Sequence, residues 1–249
     1  MLDTLRLRRI FGPNGRAVIV ALDYGLTGCA IPEPQVKVSQ IVAGGADAVL
    51  MTYGLAVHFG HLLRRCGLLL SLTDERDDAE GSVIQALRLG ADGVKAIIYT
   101  HRPDQTAALN RLARLAAACR DWGMPLLAEM IPVSFEAYDA HTPEKIAQAA
   151  QHGVEAGAHC LKVHYTGDPE TFRSITQGSP VPIVVLGGPR TDDDRAFLST
   201  IKQAMEAGAA GVAIGRNVWG HPRPDRMTAA LVAIVHHNAT VDEALRELA

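Results

Sequence analysis

The chain has 249 residues and a formal net charge of −3; 48% of its residues are hydrophobic and 20% are charged. This length suits one (β/α)8 barrel with a large apolar core. The charge excludes the strongly basic surface of a nucleic-acid or anionic-membrane binder. Residues 1–12 lack the apolar run of a signal peptide, and no stretch reaches the roughly 18 apolar residues of a spanning helix. We therefore expect a cytoplasmic protein without a nucleic-acid or membrane partner.

Eight short β-rich runs alternate with longer amphipathic runs. The β-rich runs cover residues 17–23, 47–52, 68–72, 92–99, 125–131, 159–165, 182–187 and 210–215. Alternating strands and helices predict a parallel sheet with helical crossovers, and eight such units in this length favour a closed barrel over an open sheet. We expect one α/β domain over residues 1–249, a (β/α)8 TIM barrel with an extra carboxy-terminal helix at residues 238–248 capped by Asn238 or Thr240.

Glycine and proline mark the expected helix ends. Glycine follows several helical runs, as in AGGADAV and EAGAAGV, which is typical of a helix carboxy terminus. Pro34, Pro143 and Pro169 stand near the starts of helical runs, where a missing backbone N–H does no harm. The four cysteines are scattered and form no CxxC pair, so we expect neither a disulfide framework nor a zinc site.

Lysine is scarce, and one lysine stands where barrel enzymes place their chemistry. Lys162 lies in HCLKVHYTGD at the end of the sixth strand, on the same face as Cys160 and His164. A dry barrel mouth can lower the pKa of a lysine and leave a free amine that attacks a ketone. Alternatively, Lys162 only binds phosphate or pairs with Asp23. Lys95 is the rival amine, but its deeper position favours an ion-paired structural role.

The last two strands end in the glycine-rich segments VVLGGPR and GVAIGRNVW. Glycine lets backbone N–H groups approach an anion, and barrels often bind phosphate after strands seven and eight. Arg190 and Arg216 could add charge-assisted contacts. The alternative is that these glycines only turn the chain.

Several further side chains near strand ends could transfer protons. Asp23 closes the first strand, where a carboxylate could hold the ammonium of a lysine, move protons or simply cap the loop. Tyr24, Glu129, His164 and Tyr165 are weaker candidates, and taken one at a time each fits a structural role better.

Taken together, these segments resemble the DhnA-type class I fructose-bisphosphate aldolase family. That family includes archaeal aldolases, aminodideoxyheptulosonate-type synthases and the thiolase of phosphorylated autoinducer-2. The matching segments are VIVALDYGLTG, LKVHYTGDPETFRSITQGSPVPIVVLGGP and GAAGVAIGRNVWGHPRP, which together span nearly the whole chain. The resemblance implies that Lys162 is the Schiff-base lysine and Asp23 the carboxylate beside it.

The resemblance also implies a phosphate site and an assembly. It assigns substrate phosphate binding to Gly187, Gly188, Gly215 and Arg216. It further implies a homo-oligomer, a pentamer- or decamer-like ring.

Two positions depart from the family pattern. Tyr24 replaces the strand-one histidine, and Ile131 stands where the aldolases and synthases carry an acid/base tyrosine at the end of strand five. Isoleucine cannot move a proton. Our hypothesis is that Tyr24 or His164 does this work, or that the reaction needs it less.

We expect an enzyme, a Schiff-base aldolase or related carbon–carbon lyase or transferase. Its substrate would be a phosphorylated keto sugar or dihydroxyacetone phosphate. No cofactor or metal is required, because an iminium takes up the electron pair that a metal would otherwise accept. Two alternatives remain: a sugar-phosphate isomerase or epimerase in which Lys162 is only electrostatic, and a non-catalytic barrel that binds a phosphorylated metabolite.

Overall fold

The computed structural model describes residues 4–24, 29–72 and 78–249. Eight parallel strands form a closed barrel in sequence order, with β8 hydrogen-bonded to β1. The strands are β1 Ala17–Ala21, β2 Ala48–Met51, β3 Gly67–Ser71, β4 Gly93–Thr100, β5 Leu126–Pro132, β6 Cys160–Val163, β7 Ile183–Leu186 and β8 Gly211–Ile214. Each expected strand overlaps one of them, and the predicted (β/α)8 barrel is confirmed.

Helices surround the barrel, and prolines stand at helix starts as expected. They are α1 Leu7–Ile10, α2 Pro34–Ala43, α3 Tyr53–Phe59, α4 Ala79–Arg88, α5 Gln105–Asp121, α6 Pro143–Glu155, α7 Pro169–Gly178, α8 Asp194–Glu206, α9 Arg216–Trp219, α10 Pro224–His237 and α11 Val241–Arg246. Pro34, Pro143 and Pro169 are each the first residue of a helix. Across the described ranges, none of these helices is long and apolar enough to cross a bilayer.

The extra carboxy-terminal helix is α11, and Thr240 caps it. The Thr240 side chain accepts a hydrogen bond from the Glu243 backbone N–H, and the Glu243 carboxylate accepts one from the Thr240 backbone N–H. This reciprocal pair satisfies two N–H groups that the helix start leaves unpaired. Asn238, the other candidate cap, instead ends α10 in a left-handed conformation.

The barrel interior changes from apolar to charged along the strands. Small and branched apolar side chains fill its lower part, among them Ile19, Leu50 and Leu127. Lys95, Glu129 and Lys162 lie above this floor and are almost fully buried. The apolar floor therefore keeps water away from one side of the charged layer, which strengthens the electrostatic interactions inside it.

The register of the central strands sets which of these charged residues are neighbours. Glu129 on β5 pairs with Lys162 on β6, so the two are directly adjacent across the sheet. Lys95 on β4 pairs with Leu127, two residues earlier on β5. Because barrel strands are tilted, this pairing does not by itself give the depth of a residue, and the expectation that Lys95 lies deeper than Lys162 stays a prediction.

The seam between β1 and β8 generates a testable prediction about stability. Gly211 has a φ of 144°, and a Cβ atom there would collide with the backbone of Ala17 across the seam. Gly211→Ala should therefore lower the free energy of unfolding by at least about 2 kcal/mol, because it combines backbone strain with a clash. Urea denaturation measures the change. Gly178→Ala is the matched control, since a Cβ atom at Gly178 meets open space; equal losses in both variants would contradict the prediction.

Candidate active site

A cavity of about 290 Å³ opens at the carboxyl ends of the strands. All eight residues predicted for the site line it: Asp23, Tyr24, Lys162, His164, Gly187, Gly188, Gly215 and Arg216. Other lining residues include Lys95, Tyr99, Glu129, Phe135, Tyr138 and Asn217. This is the end of the barrel at which such folds carry their chemistry.

Four buried side chains of alternating charge form a chain across this cavity. The Lys162 Nζ atom lies 2.7 Å from Glu129 Oε1, and Glu129 Oε2 lies 2.7 Å from Lys95 Nζ. Lys95 also donates to Asp23 Oδ2 at 2.8 Å, and the Ser71 hydroxyl donates to the same oxygen at 2.8 Å. Two ammonium groups and two carboxylates therefore neutralise each other's charge in a region that excludes most water. Charged groups tolerate burial when they are paired in this way.

The pKa values of this chain of charges follow from the competition between burial and pairing. Burial is the largest single effect on Glu129 and opposes its ionisation, but Lys162 and Lys95 outweigh it and lower the pKa of Glu129. Burial likewise opposes ionisation of Asp23, and Lys95 followed by Lys162 leaves its pKa below the ordinary value. For Lys95, burial disfavours the ammonium, yet Glu129 and Asp23 raise its pKa. Lys95 thus stays charged at neutral pH.

The sequence located these residues but did not pair them as the structure does. Asp23, expected beside Lys162, contacts Lys95 and acts on Lys162 only through its field. Glu129 is the carboxylate in direct contact with Lys162. One signal could have identified it: a glutamate inside the apolar strand LLAEMIP is costly unless a cation meets it.

The glycine-rich ends of β7 and β8 are joined by one amide side chain. Asn217 Nδ2 donates to the carbonyl oxygens of Gly187 at 2.8 Å and Pro189 at 2.9 Å, and Asn217 Oδ1 accepts from the Thr191 N–H at 3.0 Å. Gly188 has a φ of 65°, a conformation that favours glycine. Asn217 therefore holds the two loops at a fixed separation beside the cavity.

The two predicted arginines differ in their surroundings. Arg216 lines the cavity, and its buried Nε atom has no hydrogen-bond partner within the part of the chain that the structure describes. Arg190 lies outside this cavity, where its guanidinium donates to Asp192 at 2.8 Å. Arg216 is therefore the arginine available to an anion in the cavity.

Tyr24 lies between the charged layer and the glycine loops. Its ring packs edge-on against Trp219 at 5.6 Å, with the Arg216 guanidinium 5.8 Å from the ring centre. A Cβ atom at Gly215 would collide with this ring, so the glycine makes room for Tyr24. Burial, the largest effect, raises the pKa of Tyr24 and keeps the phenol protonated at neutral pH.

Aromatic side chains form the opposite wall of the cavity. The His164 ring stacks on His141 at 3.9 Å and lies 6.5 Å from Phe135, which in turn meets Tyr99 edge-on at 6.0 Å. Burial, then the proximity of His141, lowers the pKa of His164 to about 4. His164 is therefore neutral at pH 7. Over the described ranges, His, Cys, Asp and Glu side chains form no cluster of three that could hold a metal ion.

Comparisons with known proteins identify the family of this chain. The model of the DeoC/LacD family aldolases matches residues 17–221. The chain belongs to this aldolase family. It is 36% identical to the 2-amino-3,7-dideoxy-D-threo-hept-6-ulosonate synthase of Halobacterium salinarum, over 97% of this chain and 94% of that protein. It is 32% identical to the 2-amino-4,5-dihydroxy-6-oxo-7-(phosphonooxy)heptanoate synthase of Streptomyces griseus, over 95% and 91%.

A solved structure of an aldolase shares the overall fold of this chain. An archaeal fructose-1,6-bisphosphate aldolase, with its catalytic lysine covalently bound to the carbinolamine intermediate of the substrate, superimposes with a TM-score of 0.82 at 27% identity. The match covers 93% of this aldolase-family chain and 98% of the other. The DhnA-type resemblance expected from the sequence is thereby confirmed.

The depressed pKa of His164 generates a prediction about stability and pH. Between pH 7 and pH 5 an unfolded histidine, with a pKa of about 6.5, takes up a proton, whereas His164 in the folded chain, with a pKa of about 4, does not. Protonation therefore favours the unfolded chain as the pH falls below 6.5. Between pH 7 and pH 5, His164 lowers the free energy of unfolding by about 2 kcal/mol. In His164→Asn, the free energy of unfolding should therefore fall by about 2 kcal/mol less than in the wild type when the pH is lowered from 7 to 5.

Urea denaturation at pH 7 and pH 5 measures this difference. The exposed His237→Asn is the control for the loss of an imidazole. Identical pH dependence in wild type and His164→Asn would contradict the prediction.

Proposed function

We propose that this aldolase makes or breaks a carbon–carbon bond in a phosphorylated keto substrate through an iminium on Lys162. The observation that carries the proposal is the buried contact of 2.7 Å between Lys162 and Glu129, in the cavity that the glycine loops also line. A buried lysine with a carboxylate at this distance has the proton acceptor that an attacking amine requires.

Glu129 accounts for the proton transfers of iminium formation. It takes one proton from the Lys162 ammonium, and the free amine attacks the ketone carbon while the carbonyl electron pair moves to oxygen. Glu129 gives its proton to that oxygen and takes a second proton from the nitrogen, which leaves a neutral carbinolamine. The protonated Glu129 then returns the proton to the carbinolamine hydroxyl, which leaves as water while the nitrogen lone pair forms the C=N bond. The resulting iminium is cationic, so the Glu129 carboxylate faces a positive charge before and after the step.

Lys95 and Asp23 orient Glu129 and favour its ionised form. The Lys95 ammonium contacts Glu129 and Asp23 together, which orients the Glu129 carboxylate and favours its charged form. Asp23 balances the charge of Lys95 and adds to the negative field around Lys162. We assign Asp23 an electrostatic role, and assign Tyr24 and His164 contacts with the bound substrate from the two sides of the cavity.

The proposed phosphate site consists of Gly187, Gly188, Gly215 and Arg216. Its support is the buried Arg216 Nε atom, which has no hydrogen-bond partner among the described residues, and the two loops that Asn217 ties together. Backbone N–H groups and a guanidinium are the donors that phosphate prefers. The Streptomyces griseus relative is named for a compound that carries a phosphonooxy group, which agrees with a phosphorylated substrate.

Location, domain organisation and assembly are also proposals. The described cysteines are free, as is usual in a reducing compartment, which supports a cytoplasmic protein. We propose that residues 1–249 form one domain. The DhnA-type resemblance supports a ring-shaped homo-oligomer, and the exposed apolar side chains of Val36 on α2 and Val57 on α3 offer a surface for it.

Borohydride trapping tests the proposed iminium. Incubation with dihydroxyacetone phosphate and borohydride should leave a reduced adduct on Lys162, located by peptide mass mapping and absent from Lys162→Ala. Lys37→Ala, at a half-buried lysine of α2 that does not line the cavity, is the control. An adduct on Lys95 would retain the chemistry but move the site. Failure of all phosphorylated ketones to give an adduct, despite demonstrable binding, would contradict the proposal.

Substitution of Glu129 tests its part in the proton transfers. Glu129→Gln keeps the size and hydrogen-bonding capacity of the side chain but cannot accept a proton. The initial rate of adduct formation should fall by roughly 10²-fold at pH 7, with the adduct still on Lys162. Glu170→Gln, at an exposed position on α7, should trap at the wild-type rate. Trapping by Glu129→Gln as fast as wild type would remove Glu129 from the mechanism.

A further inference from the structure

The proposed iminium leaves one proton transfer without a donor. When an enamine on Lys162 attacks an acceptor aldehyde, the aldehyde oxygen becomes an alkoxide and must gain a proton. Glu129 contacts the Lys162 ammonium at 2.7 Å and so lies beside the iminium nitrogen. The donor to the aldehyde oxygen has to lie nearer the mouth, on the side away from the phosphate loops.

Tyr99 on β4 occupies that position. In the register of β4 and β5, Ile97 pairs with Glu129, and Tyr99 pairs with Ile131. Two residues along a strand advance about 6.6 Å, so the Tyr99 backbone lies about that much nearer the mouth than Ile97, the residue that pairs with Glu129. Its side chain lines the same cavity as Lys162.

The barrel order places Tyr99 opposite the phosphate end of the substrate. The glycine loops follow β7 and β8, and β4 lies four strands from β8 in a closed barrel of eight. A substrate anchored there by its phosphate and attached to Lys162 on β6 therefore extends its reacting end toward β4 and β5.

The surroundings of Tyr99 fix its ring and suit proton donation. Phe135 packs edge-on against the ring at 6.0 Å, and the Arg102 guanidinium lies 5.1 Å from the ring centre. Burial, then the Glu129 carboxylate, raises the pKa of Tyr99, so the phenol holds its proton at neutral pH. Arg102 and Lys95 favour the phenolate that remains after donation.

The other candidate donors are placed less well. Tyr24 packs against Gly215 and faces Arg216, on the phosphate side of the cavity. The His164 ring is covered by His141, and its Nε2 atom is buried.

We propose that Tyr99 donates the proton to the acceptor aldehyde oxygen as the carbon–carbon bond forms. The enamine carbon attacks the aldehyde carbon, the carbonyl electron pair moves to oxygen, and that oxygen takes the phenolic proton. The product bears a hydroxyl group and an iminium on Lys162, which water hydrolyses. The half-buried Tyr99 phenolate then regains a proton from solvent at the mouth. This role rests on the proposed function of Lys162.

Separating enamine formation from bond formation tests Tyr99. Deuterium exchange into dihydroxyacetone phosphate and borohydride trapping need no aldehyde, so Tyr99→Phe should retain both within about twofold. Condensation of dihydroxyacetone phosphate is then measured with acetaldehyde, glycolaldehyde and glyceraldehyde 3-phosphate, and the fastest acceptor is used. With that acceptor, Tyr99→Phe should be slower by roughly 10²-fold. Tyr53→Phe, on the exposed face of α3, is the matched control.

The outcomes distinguish the two proposals. Condensation by Tyr99→Phe within threefold of wild type would overturn the role of Tyr99. Equal losses of exchange, trapping and condensation would also overturn it, because Tyr99 would then act before the bond forms. Absence of any adduct in the wild type would instead refute the iminium on Lys162.

Discussion

The ion pair between Lys162 and Glu129 is the interaction on which the rest of the site depends. A single ammonium or carboxylate at this depth would cost several kcal/mol of desolvation. Here each lysine contacts a carboxylate, and Glu129 touches both lysines. The charges therefore stay buried only as a set, and loss of any one member leaves its neighbour uncompensated.

The barrel supplies the geometry that this set requires. Four different strands or strand ends contribute Asp23, Lys95, Glu129 and Lys162, and their side chains meet in contacts of 2.7 to 2.8 Å. The apolar floor below them excludes water, and the glycine loops and aromatic wall enclose the space above. Each group alone has an ordinary alternative, such as a capped loop or a surface lysine. Because the four groups lie together in one cavity, they can act on one bound substrate.

The sequence predicted the barrel because its signals are local. Alternating strand and helix patterns, prolines at helix starts and glycines at helix ends each depend on neighbouring residues. The position of Lys162 at the mouth followed from the same strand pattern. The partners of Lys162 could not be predicted in this way, because contact across strands depends on register, which the sequence does not encode locally. Asp23 was accordingly placed beside Lys162, whereas Glu129 holds that position.

The functional residues that sequence reasoning underrated share a physical cause. Glu129 and Tyr99 lie inside strands whose other residues are largely apolar. From the sequence alone, a polar residue in such a strand is compatible with either a structural or a catalytic role. Three-dimensional proximity removes the ambiguity: Glu129 has two ammonium partners, and Tyr99 faces the same cavity. Arg190, the other arginine considered for phosphate, does not line this cavity and donates to Asp192.

The side chain of Asn217 has a consequence for how this fold can change its substrate. Since one amide ties both glycine loops together, an insertion in either loop would displace the other, and the anion-binding end of the cavity has little freedom to diversify. The segment after β5, which carries Phe135 and Tyr138 on the far wall, has no such tie to the glycine loops among its hydrogen bonds within the described ranges. New specificities are therefore most accessible to evolution, or to directed libraries, through residues 133–142.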